Sequence, residues 1–196
     1  MIPVFVNAGG RVIAPDFFGF GRSDKPINDS DITFSFHRDS LLRLIEQLDL
    51  QNITLVCQDW GGPITGAYTI RYQKRVKRVA LLNTLFAYGG QPANPEPSEW
   101  FQWIAKHYEA GTLDGILGEL GSTVLSVMKI IGFENSSIVD ADWIRAYSAP
   151  FPDRTSCKGG IEFPLDVHLQ RAFGFIFEGL ETGNVDAVRE KPAMLA

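Results

Sequence analysis

The sequence has little of what marks a secreted, disulfide-stabilised protein. Only two cysteines, Cys57 and Cys157, occur among its 196 residues, too few for the disulfide framework of a small extracellular domain. Cys57 lies within an apolar run, where a cysteine acts as a small buried side chain. We therefore expect reduced thiols and a cytoplasmic location.

Long apolar runs and basic runs are also missing. No apolar stretch approaches the roughly 20 residues that a transmembrane helix requires, and the opening segment MIPVFVNAGGRVIAP lacks the basic start and apolar centre of a signal peptide. The 18 basic residues stand against 23 acidic ones, which gives a net charge of -5. Because a nucleic-acid-binding domain carries a basic face, we expect neither nucleic acid nor a membrane as a partner.

Hydrophobic residues, by contrast, make up 45% of the chain and include 14 Phe and 4 Trp, enough for a sizeable core. Three short apolar runs predict β-strands at residues 11–15, 52–58 and 76–84. A helix capped by Thr33 or Ser35 and a second helix over residues 61–74 separate these strands. The alternation predicts a parallel α/β sheet with flanking helices, and the continuous apolar run at 52–58 predicts a strand covered on both faces.

The second half of the chain has a different pattern. Residues 88–98 are rich in Pro, Gly and Asn, as is typical of a boundary, and a mostly helical pattern follows. Five residues at helical spacing predict a packed helix face, namely Trp100, Trp103, Ile104, His107 and Tyr108. Residues 191–195 predict a further strand. We predict a core segment over residues 1–86, a helical cap over 87–188 and the start of a returning core strand over 189–196.

The block Gln-Asp-Trp-Gly-Gly follows the strand predicted at 52–58. Ligands of open parallel sheets bind beyond the carboxyl ends of the strands, where Asp59 lies. The small residues Cys57 and Gly61 on either side are typical of a nucleophile elbow, a turn too tight for bulky neighbours. The free N–H groups of the next helix would stabilise negative charge there. Asp59 as a simple helix N-cap is the alternative, but it does not explain Trp60.

Three segments carry a resemblance to a known family: VIAPDFFGFGRSDKP, LVCQDWGGPITG and AYSAPFPD. Together they resemble the haloalkane dehalogenases of the α/β-hydrolase fold, and the likeness spans nearly the whole chain. It implies a partial α/β-hydrolase fold with an inserted helical cap. It also implies a halogenated alkane as substrate, halide and water as the other reaction partners, and no metal or organic cofactor.

The resemblance implies a two-step reaction. Asp59 would displace halide from an sp³ carbon and form an alkyl ester, which water would then hydrolyse. The indole N–H of Trp60 would hold the departing halide, since indole is a donor without an acceptor. The backbone N–H of Trp60 would help to hold the oxyanion of the second step.

The acid and the histidine of the family do not match any residue of this chain. His37 is expected at the surface, and His107 and His168 fall in the predicted cap, whereas the family's base comes after the last strand. The family's acid follows the strand that residues 191–195 begin. Asn83 stands where another branch of the family carries an acidic residue, and an amide cannot fill that role.

Further departures concern the cap and the front of the chain. Trp143 is the remaining candidate for the second halide donor. Family members also carry a His-Gly strand between the strands predicted at 11–15 and 52–58, so we expect a chain truncated at both ends. Two alternatives stay open: an epoxide hydrolase, for which Tyr108 and Tyr147 would protonate the ring oxygen, and a non-catalytic fragment. The oligomeric state is not predicted.

Overall fold

The computed structural model describes residues 1–86, 96–119, 137 and 139–196. Within them the helices are α1 (Ile2–Asn7), α2 (Phe34–Gln47), α3 (Gly61–Arg71), α4 (Glu99–Glu109), α5 (Leu113–Glu119), α6 (Ala141–Ser148), α7 (Lys158–His168), α8 (Arg171–Thr182) and α9 (Val185–Arg189). The strands are β1 (Ile53–Gln58), β2 (Val76–Leu82) and β3 (Ala193–Leu195). Most of the boundary predicted at 88–98 lies outside the described residues, and so do residues 120–136 of the mostly helical pattern that follows it.

The three strands form one parallel sheet in the order β1-β2-β3. This confirms the parallel α/β architecture, the two strands predicted at 52–58 and 76–84, and the strand predicted at 191–195. In the register of the first pair, Gln58 is opposite Leu82. The next residues, Asp59 and Asn83, therefore leave the sheet side by side at its carboxyl edge.

The strand predicted at residues 11–15 is wrong. These residues have no regular secondary structure, and Val12 and Ile13 are only partly buried. A strand needs a neighbour to satisfy its backbone N–H and C=O groups, and none of the described residues forms a strand between this run and β1. Pro15 also lacks the N–H that a ladder would use. Local hydrophobicity alone therefore did not produce a strand here.

Helix α2 begins where one of the two predicted caps lies. The side-chain oxygen of Thr33 accepts a hydrogen bond of 3.1 Å from the backbone N–H of Phe36, which satisfies one of the free donors of the first turn. Helices α2 and α3 then pack on the same side of the sheet, where Ile45 and Tyr68 lie against Leu55.

The opposite face of β1 is exposed, so the prediction of a strand covered on both faces is wrong. Leu55 and Cys57 are buried, whereas Thr54, Val56 and Gln58 are exposed. This alternation is the period of two that one covered face imposes. Val56 is 43% exposed, because no described helix lies over its side of the sheet.

Helix α7 joins two hydrophobic clusters. One cluster lies between α2, α3, α7 and α8 and consists of Phe34, Ile64, Ala67, Phe163, Ala172 and Phe175. The other lies between α4, α5 and α7 and consists of Ile104, Leu113, Leu117, Cys157, Ile161 and Leu165. The packed face predicted for α4 is confirmed at its centre, where Ile104 is fully buried, while Tyr108 at its margin is 42% exposed. No described helix is both long and apolar enough to traverse a bilayer.

Candidate active site

Asp59 occupies a sharp turn between β1 and α3. Its φ of +49° lies in the left-handed region, which costs an L-residue roughly 1–2 kcal/mol and persists where surrounding structure enforces it. The residue in the N-cap position of α3 is Trp60, and no side chain caps this helix end. The N-cap interpretation of Asp59 is therefore wrong. The backbone geometry is that of an elbow which lifts the Asp59 side chain beyond the sheet.

The space around the turn is restricted at Gly62 rather than at Gly61. A Cβ on Gly62 would clash with Thr84 Oγ1 and with the carbonyl oxygen of Leu85, whereas the nearest atom to a Cβ on Gly61 is Cys57 Cβ at 4.0 Å. The expected need for a small residue at Gly61 is therefore not borne out by the contacts. The chain after β2 crosses the first turn of α3, and this crossing excludes a side chain at Gly62.

The carboxyl group of Asp59 is accessible yet partly desolvated. The residue is exposed overall, while partial burial raises the pKa of its carboxyl group and a hydrogen bond from the backbone N–H of Trp60 opposes that rise. The hydroxyl of Thr84 donates a 2.5 Å hydrogen bond to the backbone carbonyl of Asp59. Asn83, beside Asp59 at the sheet edge, also has a positive φ, +41°. A solvent-accessible carboxylate with an adjacent N–H donor can act as a nucleophile.

The indole of Trp60 faces helix α7. Its ring is parallel to that of Phe163, with 5.1 Å between centroids and 10° between planes, and it meets Phe34 edge-on at 5.4 Å. The indole N–H donates no hydrogen bond to any described residue. An uncommitted donor among apolar rings is suited to an anion, because few competing polar groups surround it.

His37 is buried, so its predicted surface position is wrong. It is 1% exposed, and its ring stacks on Phe163 at 4.8 Å and lies 5.2 Å from Phe17. Neither ring nitrogen has a hydrogen-bond partner among the described residues. Burial lowers the pKa of His37 from 6.5 to about 4, which makes the imidazole neutral at neutral pH.

The other two histidines are engaged away from the elbow. Nδ1 of His107 lies 2.9 Å from the hydroxyl of Thr112, and the His168 ring meets that of Tyr108 at 5.5 Å. No hydrogen bond or ring contact of the described residues joins Asp59 to any histidine. The structure therefore brings no imidazole to the predicted nucleophile.

Trp143 lies on α6, where its ring stacks on Tyr147 with 4.0 Å between centroids. Its backbone N–H donates to the carboxylate of Asp140 at the start of the helix. Among the described residues, Trp143 makes no ring contact with Trp60. The role of Trp143 as a second halide donor therefore stays a prediction.

Residues that the sequence did not single out hold the α7 side of the site. Arg171 forms ion pairs with two buried carboxylates of α7, at 2.8 Å to Glu162 and 2.7 Å to Asp166. Burial raises the pKa of Asp166, and the charge of Arg171 opposes that rise. Phe163 lies between Glu162 and Asp166 in sequence. The two ion pairs of Arg171 therefore hold the turn of α7 that contacts Trp60. No group of three or more His, Cys, Asp or Glu among the described residues is arranged to hold a metal.

The chain is similar to proteins of known fold. A family model described as the alpha/beta hydrolase fold matches residues 1–114. A haloalkane dehalogenase from Psychrobacter cryohalolentis is 37% identical over 169 residues, covering 84% of this chain and 50% of that protein. A cis-3-alkyl-4-alkyloxetan-2-one decarboxylase from Shewanella oneidensis is 34% identical over 163 residues, covering 82% of this chain and 49% of that protein.

The chain is also similar to a solved structure of a haloalkane dehalogenase. The tetrameric haloalkane dehalogenase DpaA from Paraglaciecola agarilytica NO2 matches with a TM-score of 0.72 and 32% identity, covering 100% of this chain and 70% of that one. The chain spans about half the length of the curated relatives it matches. Since the family model matches more than half of the 196 residues and the elbow has the geometry described above, the chain belongs to the α/β-hydrolase fold family.

Proposed function

We propose that this chain carries the nucleophile and the halide site of a hydrolase of the haloalkane dehalogenase type. The observation that carries the proposal is the left-handed backbone of Asp59 at the carboxyl edge of the sheet, next to an indole whose ring rests on Phe163. The similarity to a haloalkane dehalogenase at 37% identity supports it. The substrate class is a halogenated alkane, with halide and water as the other participants.

In the first step, a carboxylate oxygen of Asp59 attacks the carbon that bears the halogen. A C–O bond forms while the carbon–halogen bond breaks, and the halogen leaves with both electrons as halide. The product is an alkyl ester of Asp59. The indole N–H of Trp60 stabilises the departing anion, and the apolar rings of Phe34 and Phe163 beside it strengthen that hydrogen bond by excluding water.

In the second step, water attacks the carbonyl carbon of the ester. The bond between this carbon and the alkyl oxygen then breaks, the alkyl group leaves as an alcohol that takes up a proton, and the Asp59 carboxylate is restored. The backbone N–H of Trp60, which already interacts with the Asp59 carboxyl group, helps to hold the oxyanion. The attacking water must lose a proton to a base, and among the described residues no histidine contacts Asp59. We infer that the ester accumulates in this chain, because its formation needs no base and its hydrolysis does.

The helices after residue 96 supply the apolar side of the proposed pocket. Phe163 of α7 contacts Trp60, which supports the proposed cap over residues 87–188. The pairing of β3 with β2 supports the proposed return to the sheet at 189–196. Trp143 stays a proposed second donor from that cap.

Intact-mass spectrometry after incubation with 1-bromohexane tests the proposal. We expect a hexyl adduct on Asp59 and bromide release of about one equivalent per chain. The variant Asp59→Asn should give neither. Asp49 provides a matched control, because it is exposed and also has a positive φ of +42° but lies after α2. Asp49→Asn should form the adduct as the unaltered chain does. The proposal is wrong if the unaltered chain releases no more bromide than Asp59→Asn.

The variant Trp60→Phe separates the halide site from the nucleophile. It keeps a ring against Phe163 but removes the indole N–H. We expect adduct formation with the bromide to slow by about tenfold or more, as for the loss of one donor to a developing anion. An unchanged rate would remove Trp60 from the proposed role.

The epoxide hydrolase alternative depends on acids in the cap. Tyr108 and Tyr147 are both 42% exposed. The Tyr108 ring contacts His168 and the Tyr147 ring contacts Trp143, so neither of these ring contacts is with a residue of the elbow. Incubation with an alkyl epoxide distinguishes the two reactions. An epoxide-derived adduct without bromide release from the haloalkane would favour this alternative. No adduct from either compound, with cooperative unfolding, would favour the non-catalytic fragment.

A further inference from the structure

Residues 84–86, which follow β2, lie directly over the first two turns of α3. A Cβ on Gly62 would clash with Thr84 and with the Leu85 carbonyl, and a Cβ on Gly66 would clash with the Phe86 carbonyl. Both glycines are buried. Backbone-to-backbone contact this close leaves little freedom for either partner. The 84–86 segment is therefore held against the helix that begins at the elbow.

The hydroxyl of Thr84 connects this segment to the nucleophile itself. It donates to the backbone carbonyl of Asp59 at 2.5 Å, while the carbonyl of Leu85 is a weaker acceptor at 3.3 Å. The same Asp59 carbonyl also accepts the backbone N–H of Gly62 at 3.0 Å. Two donors therefore fix the direction of this carbonyl at a residue whose backbone is in a strained region.

The direction of the Asp59 carbonyl sets that of the Trp60 N–H. The peptide bond between the two residues is planar and trans, so its C=O and N–H point in opposite directions. Burial raises the pKa of the adjacent Asp59 carboxyl group, whereas the Trp60 N–H lowers it, and this N–H is the proposed oxyanion donor. A group that holds the carbonyl end of this peptide therefore aims its N–H end at the reacting carboxylate.

We propose that Thr84 is a positioning residue for the nucleophile. Its hydroxyl orients the Asp59–Trp60 peptide so that the Trp60 N–H points towards the Asp59 carboxylate. Its expected effect on alkylation rests on the proposed function, while its effect on the carboxyl group itself does not. A purely structural role for Thr84 predicts a change in stability alone. A positioning role predicts a change at the Asp59 carboxyl group in a protein that remains folded.

The direct test is a ¹³C NMR titration of the Asp59 carboxyl group in the full chain. Thr84→Val keeps the shape of the side chain and removes the hydroxyl, and Thr84→Ser keeps the hydroxyl. Because a hydrogen bond to a carboxylate favours its charged form, we expect a higher Asp59 pKa in Thr84→Val and a pKa close to that of the unaltered chain in Thr84→Ser. Thr182 is the matched control, since its hydroxyl donates to the Glu178 backbone carbonyl at 2.7 Å on the surface of α8. Thr182→Val should leave the Asp59 pKa unchanged.

An Asp59 pKa in Thr84→Val equal to that of the unaltered chain would overturn the proposal. If Thr84→Val does not fold, as judged by circular dichroism, Thr84→Ala replaces it and is read in the same way against Thr84→Ser. Amide exchange of the Trp60 N–H gives a second measurement, which we expect to be faster without the hydroxyl. Unchanged exchange in the folded variant would also contradict the proposal.

The rate of adduct formation with 1-bromohexane connects this test to the proposed function. Loss of one orienting hydrogen bond should slow alkylation of Asp59 by about threefold to tenfold, with recovery in Thr84→Ser. If the unaltered chain forms no adduct, the proposed function fails, and the titration and amide exchange still decide the role of Thr84.

Discussion

The ring of Phe163 lies parallel to the indole of Trp60, with 5.1 Å between the two centroids. Phe163 belongs to α7 and Trp60 to the elbow, so this pair is a direct contact between the helices of the second half of the chain and the predicted nucleophile. Phe163 also stacks on His37 at 4.8 Å and is only 3% exposed. Phe163 thus connects α7 to the elbow through Trp60 and to α2 through His37.

Phe163→Ala should destabilise the protein strongly. Removing a buried aromatic side chain costs about 3–5 kcal/mol, because a cavity remains where the ring was. Urea unfolding measures the loss. The matched control is Phe177→Ala on α8, where the side chain is 43% exposed and the expected cost is about 1 kcal/mol or less. Equal losses in the two variants would contradict the central place of Phe163.

Two substitutions at Asp59 measure the strain of the elbow. Asp59→Gly and Asp59→Ala both remove the carboxylate, but only glycine adopts a positive φ without a steric cost. We expect Asp59→Gly to be more stable than Asp59→Ala by about 1 kcal/mol, although glycine ordinarily lowers stability. Thermal or urea unfolding of the pair gives the difference. A more stable Asp59→Ala would show that the backbone at this position is not left-handed in solution.

Adding one methyl group at each of two adjacent glycines tests the packing of residues 84–86. Gly62→Ala forces a Cβ into Thr84 and the Leu85 carbonyl, and should cost about 2 kcal/mol or more. Gly61→Ala meets nothing closer than 4.0 Å and should be neutral or slightly stabilising, because alanine favours the helix. The free energies of unfolding of the two variants check this order. If Gly61→Ala were the less stable, the crossing over α3 would be misplaced.

The stability of the protein should depend on pH through His37. Burial lowers its pKa to about 4 in the folded protein, against 6.5 when unperturbed. The unfolded chain therefore binds more protons between these values, so stability is fully present above about pH 6.5 and falls as the pH decreases towards 4. The loss amounts to about 3 kcal/mol.

Urea unfolding at several pH values measures this dependence. The variant His37→Phe keeps an aromatic ring in the same cluster and cannot be protonated. It should lose the part of the slope between about pH 4 and pH 6.5 that the unaltered chain shows, while the contribution of the carboxyl groups remains. An identical slope in both proteins would place His37 in contact with solvent.

The elbow was predictable because its signal is local. The block around Asp59 combines the end of an apolar run, a carboxylate, an indole and two glycines within a few residues, and the backbone confirms the turn. The position of His37 also had a local signal that the prediction did not use. His37, Leu41 and Ile45 are spaced by four residues, which places them on one face of α2, and Ile45 is 2% exposed.

Other features depend on contacts between distant parts of the chain. The run at 11–15 has the composition of a strand but no strand beside it, and pairing is decided by the neighbour rather than by the run. Phe163 and Thr84 are ordinary residues in sequence. They become part of the site only because α7 rests on Trp60 and because the chain after β2 passes over α3.

The positive φ values of Asp59 and Asn83, +49° and +41°, have a consequence for how the site can be altered. The chain turns with a left-handed residue directly after β1 and directly after β2. The hydrogen bond from the Thr84 hydroxyl to the Asp59 carbonyl connects these two turns. Substitutions within residues 84–86 therefore reach Asp59 through main-chain contacts and the Thr84 hydroxyl. Variants of residues 84–86 would therefore change the proposed reactivity of Asp59 while Asp59 and Trp60 themselves are kept.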